Sequence, residues 1–240
     1  MIEITAVCRV KRGIYKSICD DTCLVDTQII NDGSATVFCT PPTRIYLCDG
    51  VGGNAGGRDA SMFVCSHISD DFLALNEALI HYGRRIGEPN MATTLTGLIF
   101  DERGITLVHA GNTRLYSLRG GFLNQITSDQ TTYEWLKRIG NTEGAEACNR
   151  SEILCAFGGG KLDYLRHLVV QEVFSDRIPK TLILTTDGIH DYLTEDQMEY
   201  ILCGALMPEE KINLLIKEAE QNGSQDDCSA VILSLNSESE

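Results

Sequence analysis

Along the chain, hydrophobic and polar positions change period several times. Apolar β-type runs at Ala35 to Cys39 and Arg44 to Cys48 flank Pro41-Pro42, a pair that neither a helix nor a central strand tolerates, so a hairpin is predicted there. After a glycine-rich stretch, Gly50 to Gly57, residues such as Phe72, Leu75, Leu79 and Ile80 recur at helical spacing. They predict a long core-facing helix over about Asp59 to Arg85, broken near Ser69. Short β runs at Leu95 to Phe100, Ile105 to Ala110, Arg114 to Leu118 and Phe122 to Ile126 follow, separated by turn residues, and read as an antiparallel meander. Later strands are expected at His167 to Val173, Thr181 to Thr186 and Ser229 to Leu235. Glu209 to Asn222 is amphipathic, with Ile212, Leu215, Ile216 and Ala219 on one face and Gly223 as its stop. Helices and strands are segregated, which argues for α+β layers over a parallel doubly wound sheet. Asn236 to Glu240 reads as a frayed tail.

Composition narrows the class. With 240 residues, 43% of them hydrophobic, one domain over 1–240 with a substantial core is expected. No run approaches the roughly 18–20 apolar residues that span a bilayer. Met1 to Lys16 carries Glu3 early and shows no basic-then-apolar signal pattern, so a cytoplasmic protein without membrane association is expected. The ten cysteines include no C-x-x-C pair and sit mostly in apolar runs, such as Cys48 and Cys155, so they read as reduced, buried thiols. A formal net charge of −14 repels a phosphate backbone and argues against nucleic-acid binding.

Candidate chemistry lies in four acidic spots, each at the end of an apolar β run or in a turn beside one: Asp20-Asp21, Asp49-Gly50, Asp187-Gly188 and Asp226-Asp227. A single Asp-Gly after a strand is usually an ordinary turn. Here the strand Ile45 to Cys48 delivers Asp49 into a backbone with few obstructing side chains, and Leu182 to Thr186 delivers Asp187. Hard cations such as Mg²⁺ and Mn²⁺ prefer all-oxygen sites of this kind.

These segments, in order over nearly the whole chain, resemble the motifs of the metal-dependent protein phosphatases of type 2C, especially the short bacterial single-domain members. GIYKSICDD (Gly13 to Asp21) is similar to the first motif, in which a phosphate-binding Arg precedes an Asn and an acidic pair. LCDGVGGNAGG (Leu47 to Gly57) resembles the metal-bridging segment, and MATTLTGLIF (Met91 to Phe100) a Thr-Thr strand. HAGNTRLYSLRGG (His109 to Gly121) resembles the Gly-Asp-Ser-Arg hairpin, and ITSDQTTYEWL (Ile126 to Leu136) the segment that opens the flap. LILTTDGIHDYL (Leu182 to Leu193) and GSQDDCSAVIL (Gly223 to Leu233) resemble the remaining metal motifs.

The resemblance implies a four-layer αββα sandwich, two antiparallel sheets flanked by helices, with a flap at about 131–150. It implies two divalent cations, Mn²⁺ or Mg²⁺. Asp49 bridges both, the Gly50 carbonyl joins one, Asp187 and Asp226 hold the other, and Asp20 and Asp21 bind directly or through water. It further implies hydrolysis of phosphoserine or phosphothreonine by a metal-bridging water or hydroxide, with Asp21, Asp49, Asp187 and Asp226 catalytic and no covalent phosphoenzyme. Lys16 occupies the phosphate-binding Arg position, as a point charge without the bidentate fork. The implied partner is a phosphorylated protein, the implied opponent a serine/threonine kinase, and a monomer is expected.

The chain departs from the family pattern at several places. Asn112 replaces the Asp that helps hold a third metal, so the resemblance does not carry that site over. Cys19 replaces an Asn, Val51 stands where eukaryotic members have a His, and Gln130 replaces a His in the flap-opening segment. Lys16, Cys19 and Asn112 motivate a second reading, a weakly active or inactive scaffold of the same shape. A dehalogenase-like phosphatase is excluded because no Asp-x-Asp-x-Thr follows an early strand. Phe157 to Lys161 lacks the residues of a phosphate loop and reads as a turn. His190 reads as structural or solvent-facing, Asp191 as the cap of the following helix, and Trp135 as packed against its own domain.

Overall fold

The computed structural model describes residues 2–51 and 56–237. Its strands are β1 (Ile2–Lys11), β2 (Thr22–Val25), β3 (Gln28–Ile30), β4 (Gly33–Cys39), β5 (Thr43–Cys48), β6 (Ala92–Thr93) and β7 (Leu95–Asp101). They continue with β8 (Gly104–Ala110), β9 (Arg114–Arg119), β10 (Phe122–Gln125), β11 (Phe157–Gly158), β12 (Val169–Val173), β13 (Thr181–Thr185) and β14 (Cys228–Ser237). The helices are α1 (Gly57–Ser66), α2 (Phe72–Ile86), α3 (Thr132–Arg138), α4 (Thr142–Ala147), α5 (Asp187–His190), α6 (Glu195–Cys203) and α7 (Pro208–Gln221).

Two six-stranded antiparallel sheets form, in the orders β10-β9-β13-β14-β1-β4 and β12-β8-β7-β5-β2-β3. The period-2 side-chain alternation of β1 shows how they layer. Ile4, Ala6, Cys8 and Val10 enter a core shared with Ile45 and Leu47 of β5 and Leu98 and Phe100 of β7, so this core lies between the sheets. Val7 instead joins Ile183 and Ile232 beneath Met198 and Ile201 of α6 and Ile212 and Leu215 of α7. On the far side, Leu24, Tyr46 and Val108 pack against Ala60 and Val64 of α1 and Leu75 and Leu79 of α2. The order is therefore helix, sheet, sheet, helix, as expected.

Several local expectations change. The runs on either side of Pro41-Pro42 do not form a hairpin: β4 pairs with β1 in the first sheet, and β5 pairs with β2 and β7 in the second. Ile45, Tyr46, Leu47 and Cys48 are all buried, so β5 needs partners on both edges and cover on both faces, whereas β4 is an edge strand that leaves Phe38 exposed. The expected meander is two hairpins, β7-β8 and β9-β10, in different sheets, with Gly111-Asn112 carrying the chain across. The long helix is broken as anticipated: Asp71 caps α2 by accepting from the Ala74 N–H at 2.9 Å, and Gly87 ends it in a left-handed conformation. Asn236 is not frayed but pairs with Glu3 in β14, and residues 238–240 of the expected tail lie outside the described residues.

Candidate active site

Both sheets end at one pole in aspartates. At the end of β5, Asp49 is clamped through its main chain. Its N–H donates to Thr94 Oγ1 at 3.0 Å, and its carbonyl accepts from Thr94 N at 2.8 Å and Thr93 Oγ1 at 2.9 Å. Next to it the Gly50 N–H donates to the Asp20 carbonyl at 3.2 Å. A Cβ on Gly50 would fall 2.5 Å from the Gly57 backbone and 2.7 Å from the Asp20 carbonyl oxygen, so only glycine lets these segments close up. Gly52 to Ala55, on which the expected close approach of backbone to an ion also drew, lie outside the described residues.

From the other sheet, β13 delivers Asp187 at the start of α5. The preceding Thr186 hydroxyl donates to Asp21 Oδ2 at 3.0 Å and accepts from the Ser229 N–H at 3.0 Å, tying three of the acidic segments together. Gly188 packs so closely on the Asp226-Asp227 segment that a Cβ would lie 2.0 Å from the Asp227 carbonyl oxygen.

Electrostatics report the convergence of the side chains. Burial pushes the Asp21 carboxyl well above its ordinary range, and the charges of Asp227, Asp187 and Asp226 push it further. Asp49 is raised by burial and then by Asp187, Asp21 and Asp226. Asp187 is raised by burial and by Asp226, an effect opposed by the Asn112 amide, whose Nδ2 donates to Asp187 Oδ2 at 2.9 Å. The structure thus brings Asp21, Asp49, Asp187 and Asp226 to one place. Asp20 lies at the edge of the cluster, its Oδ1 accepting from the Arg58 N–H at 3.1 Å.

Lys16 is inside this cluster. Its Nζ is 2.6 Å from Asp226 Oδ1, 2.9 Å from Asp227 Oδ2 and 3.3 Å from Asp20 Oδ2. Burial alone would lower its pKa, but the Asp226 and Asp227 carboxylates outweigh that and raise it, so it stays an ammonium. Asp227, not among the candidate ligands read from sequence, is 2% exposed and fully bonded. Besides Lys16 it accepts from the Gly13 N–H at 2.8 Å and the Asp20 N–H at 2.7 Å. Its adjacency to Asp226 was the available signal.

The donor set fits hard cations. It is all oxygen, its carboxylates are crowded enough to raise the pKa of Asp21, Asp49 and Asp187, and Asp21 Oδ1 is buried without a hydrogen-bond partner. Among the described residues no three His, Cys, Asp or Glu side chains already converge on one ion-sized point. Lys16 and Asn112 supply the nearest compensation instead, holding Asp226 and Asp187.

Other expectations resolve as follows. His190 is buried and bonds Thr185 Oγ1 through Nδ1 at 2.8 Å, a structural role. Asp191 does not cap the next helix; Thr194 does, in a capping box with Gln197, because the chain makes one more turn first. Trp135 is 51% exposed, not packed away, since α3 and α4 pack on each other and bury little beyond Ala145. Phe157 to Lys161 is the expected turn, β11 pairing with β6. All ten cysteines are free thiols, seven of them buried.

A two-sheet α+β sandwich that opens at one pole onto convergent aspartates defines the class. No protein-family model matches the chain. The serine/threonine protein phosphatase PstP of Mycobacterium tuberculosis is 33% identical over 210 residues, covering 78% of the chain; the chain spans only 39% of that relative's length. The serine/threonine phosphatase stp of Listeria monocytogenes is 26% identical over 214 residues, covering 79% of the chain and 83% of the relative. The crystal structure of the catalytic domain of PstP in complex with two manganese ions superposes with a TM-score of 0.71 at 24% identity, covering 99% of this chain and 100% of that one. Over most of its length the chain is thus similar to bacterial serine/threonine phosphatases, and it shares their fold.

Proposed function

We propose that the chain is a metal-dependent protein phosphatase acting on phosphoserine and phosphothreonine. The observation that carries this reading is the meeting of Asp21, Asp49, Asp187 and Asp226, from four distant segments, at one pole of the sandwich. The manganese-bound PstP domain of the same fold supports it. Asp49 and the Gly50 carbonyl, with Asp187 and Asp226, would hold two divalent cations, Mn²⁺ or Mg²⁺, and Asp20 and Asp21 would assist directly or through water. When bound, such cations supply Lewis-acid charge neutralisation and acidify water at the site.

The chain's own residues do the rest. Thr93 and Thr94 fix the Asp49 backbone, so its carboxylate does not wander as charge develops nearby. Thr186 orients Asp21. Lys16 offsets part of the repulsion that a phosphate dianion meets among carboxylates and is the proposed phosphate-contacting side chain. Residues 1–240 would form one phosphatase domain with a flap at about 131–150, acting as a cytoplasmic monomer that opposes a serine/threonine kinase. Among the described residues no helix is long and apolar enough to cross a membrane.

The Lys16–Asp226 pair gives a specific reason to keep a second reading, a binding module of the same shape whose carboxylates are neutralised from within. Hydrolysis of p-nitrophenyl phosphate and a phosphothreonine peptide, with Mn²⁺, Mg²⁺ or chelator, separates the two. Metal-dependent turnover that disappears in Asp49→Asn and Asp187→Asn supports the enzyme. A folded protein without turnover under either metal supports the module.

A further inference from the structure

The segment between β1 and β2 carries Lys16 into the carboxylate cluster and is held on both sides of it. The Gly13 and Asp20 N–H groups both donate to Asp227, Lys16 N–H donates to the Gly13 carbonyl at 3.2 Å, and Arg12 Nη1 donates to the Ser17 carbonyl at 2.9 Å. Yet the side chains flanking Lys16 are large, apolar and exposed: Ile14 is 58% accessible, Tyr15 79% and Ile18 47%. Single surface apolar residues need no explanation. Three within five consecutive positions, on a loop fixed by a buried carboxylate and touching the site, are a different matter, because no burial in this chain compensates their exposure.

We infer that Ile14, Tyr15 and Ile18 form an apolar collar at the mouth of the site, which selects phosphopeptides with aliphatic or aromatic residues next to the phosphorylated residue. This rests on the phosphatase reading and deepens it. An extended peptide advances roughly 3.3–3.6 Å per residue, so the positions next to the phosphoresidue are the ones that reach side chains adjacent to Lys16. The collar is already ordered by the Asp227 bonds, so contact with it loses little conformational freedom. The chain's net charge of −14 and the exposed Asp226 disfavour acidic flanks and attract basic ones, whereas Ile14, Tyr15 and Ile18 carry no charge and themselves offer apolar contact.

The test uses the full chain with Mn²⁺ and phosphothreonine peptides identical except at the two positions on each side of the phosphoresidue: Leu/Tyr, Ser/Gly or Glu. Seating one side chain on the collar corresponds to about tenfold in kcat/KM for Leu/Tyr over Ser/Gly peptides. In the surface variants Tyr15→Ser and Ile14→Ser/Ile18→Ser, the ratio between those two peptides, measured on one preparation, falls toward one. A native ratio within twofold of one, or a ratio that persists in both variants, overturns the inference. A thermal melt confirms that each variant is folded, and the native peptide series stands as a test without them. If p-nitrophenyl phosphate and every peptide are left intact, the phosphatase reading itself fails and takes the collar with it. Turnover of p-nitrophenyl phosphate without flank preference sinks the collar alone.

Discussion

Lys16 Nζ lies 2.6 Å from Asp226 Oδ1, so the side chain proposed to meet phosphate is ion-paired with one proposed to hold a cation. The half-buried ammonium also reaches Asp227 and Asp20, and so lessens the mutual repulsion of a pole where other carboxylates are buried. This pairing connects stability, metal binding and substrate binding through one residue.

Replacing Lys16 with Met removes that compensation. With Asp227 buried and Asp226 half exposed, the loss is expected to cost about 1–3 kcal/mol in chelator, less than breaking a fully buried pair. For a chain of this size that is roughly 2–4 °C in Tm per kcal/mol. Manganese should recover most of the loss, because cations supply the missing charge. Melting curves in EDTA and in Mn²⁺ read this directly; equal losses in both would show that Lys16 is not linked to the cation site. Lys16→Arg is expected to lower KM through the guanidinium fork, and equal KM values for the two proteins would remove Lys16 from the phosphate.

Asn112 poses the matching question at Asp187. Its Nδ2 donates to Asp187 Oδ2 at 2.9 Å, so Asn112→Asp exchanges a donor for a like charge at a buried position. Stability in chelator is expected to fall by about 1–3 kcal/mol. The thermal shift produced by Mn²⁺ should grow correspondingly, since an added carboxylate strengthens an all-oxygen site. A variant whose manganese shift equals that of the native chain would place Asn112 outside any cation's reach.

What could be read from sequence followed from local pattern. The aspartates at strand ends were legible because an apolar run that stops at Asp-Gly, as at Cys48-Asp49, marks where a rigid strand releases a side chain. Sheet membership was not: β4 and β5 are neighbours in sequence yet belong to different sheets, a choice made by long-range burial that no window of ten residues contains. β1 does not read as a strand by period alone, because Val7 breaks the alternation of Glu3, Thr5 and Arg9 where α6 and α7 cover that face. The role of Asp227 was hidden because its partners, Gly13 and Asp20, lie more than 200 residues away.

Gly188 offers a steric test of the pole. Alanine there would put a Cβ 2.0 Å from the Asp227 carbonyl oxygen, a backbone atom that does not swing aside. Overpacking of this kind costs about 1–3 kcal/mol and shifts backbone. Because the displaced segment carries Asp187 on one side and Asp226 on the other, Gly188→Ala is expected to lower kcat and weaken the manganese-induced thermal shift together. A variant that loses stability while keeping the full manganese shift would mean that the spacing of these two segments does not set the site.

Two buried histidines give the fold an acid sensitivity separable from that of the aspartates. His109, 2% exposed, bonds Thr96 Oγ1 and the Ser128 carbonyl, and burial lowers its pKa. His190, 6% exposed, is lowered much further by burial and by Arg114. A histidine with a folded pKa below its unfolded value of about 6.5 is neutral in the native state, and on acidification the unfolded chain takes up the proton first. The stability it contributes is therefore present above that unfolded value and is lost as pH falls toward the folded pKa. The crowded aspartates act in the opposite sense, since their raised values favour proton uptake by the folded chain. Comparison of Tm between pH 7.5 and 5.5 for the native chain and for His109→Gln and His190→Gln cancels the aspartate contribution. Each variant is expected to be less stable at the upper end and to lose less on acidification than the native chain. Parallel curves for all three proteins would show that these imidazoles do not titrate differently on folding.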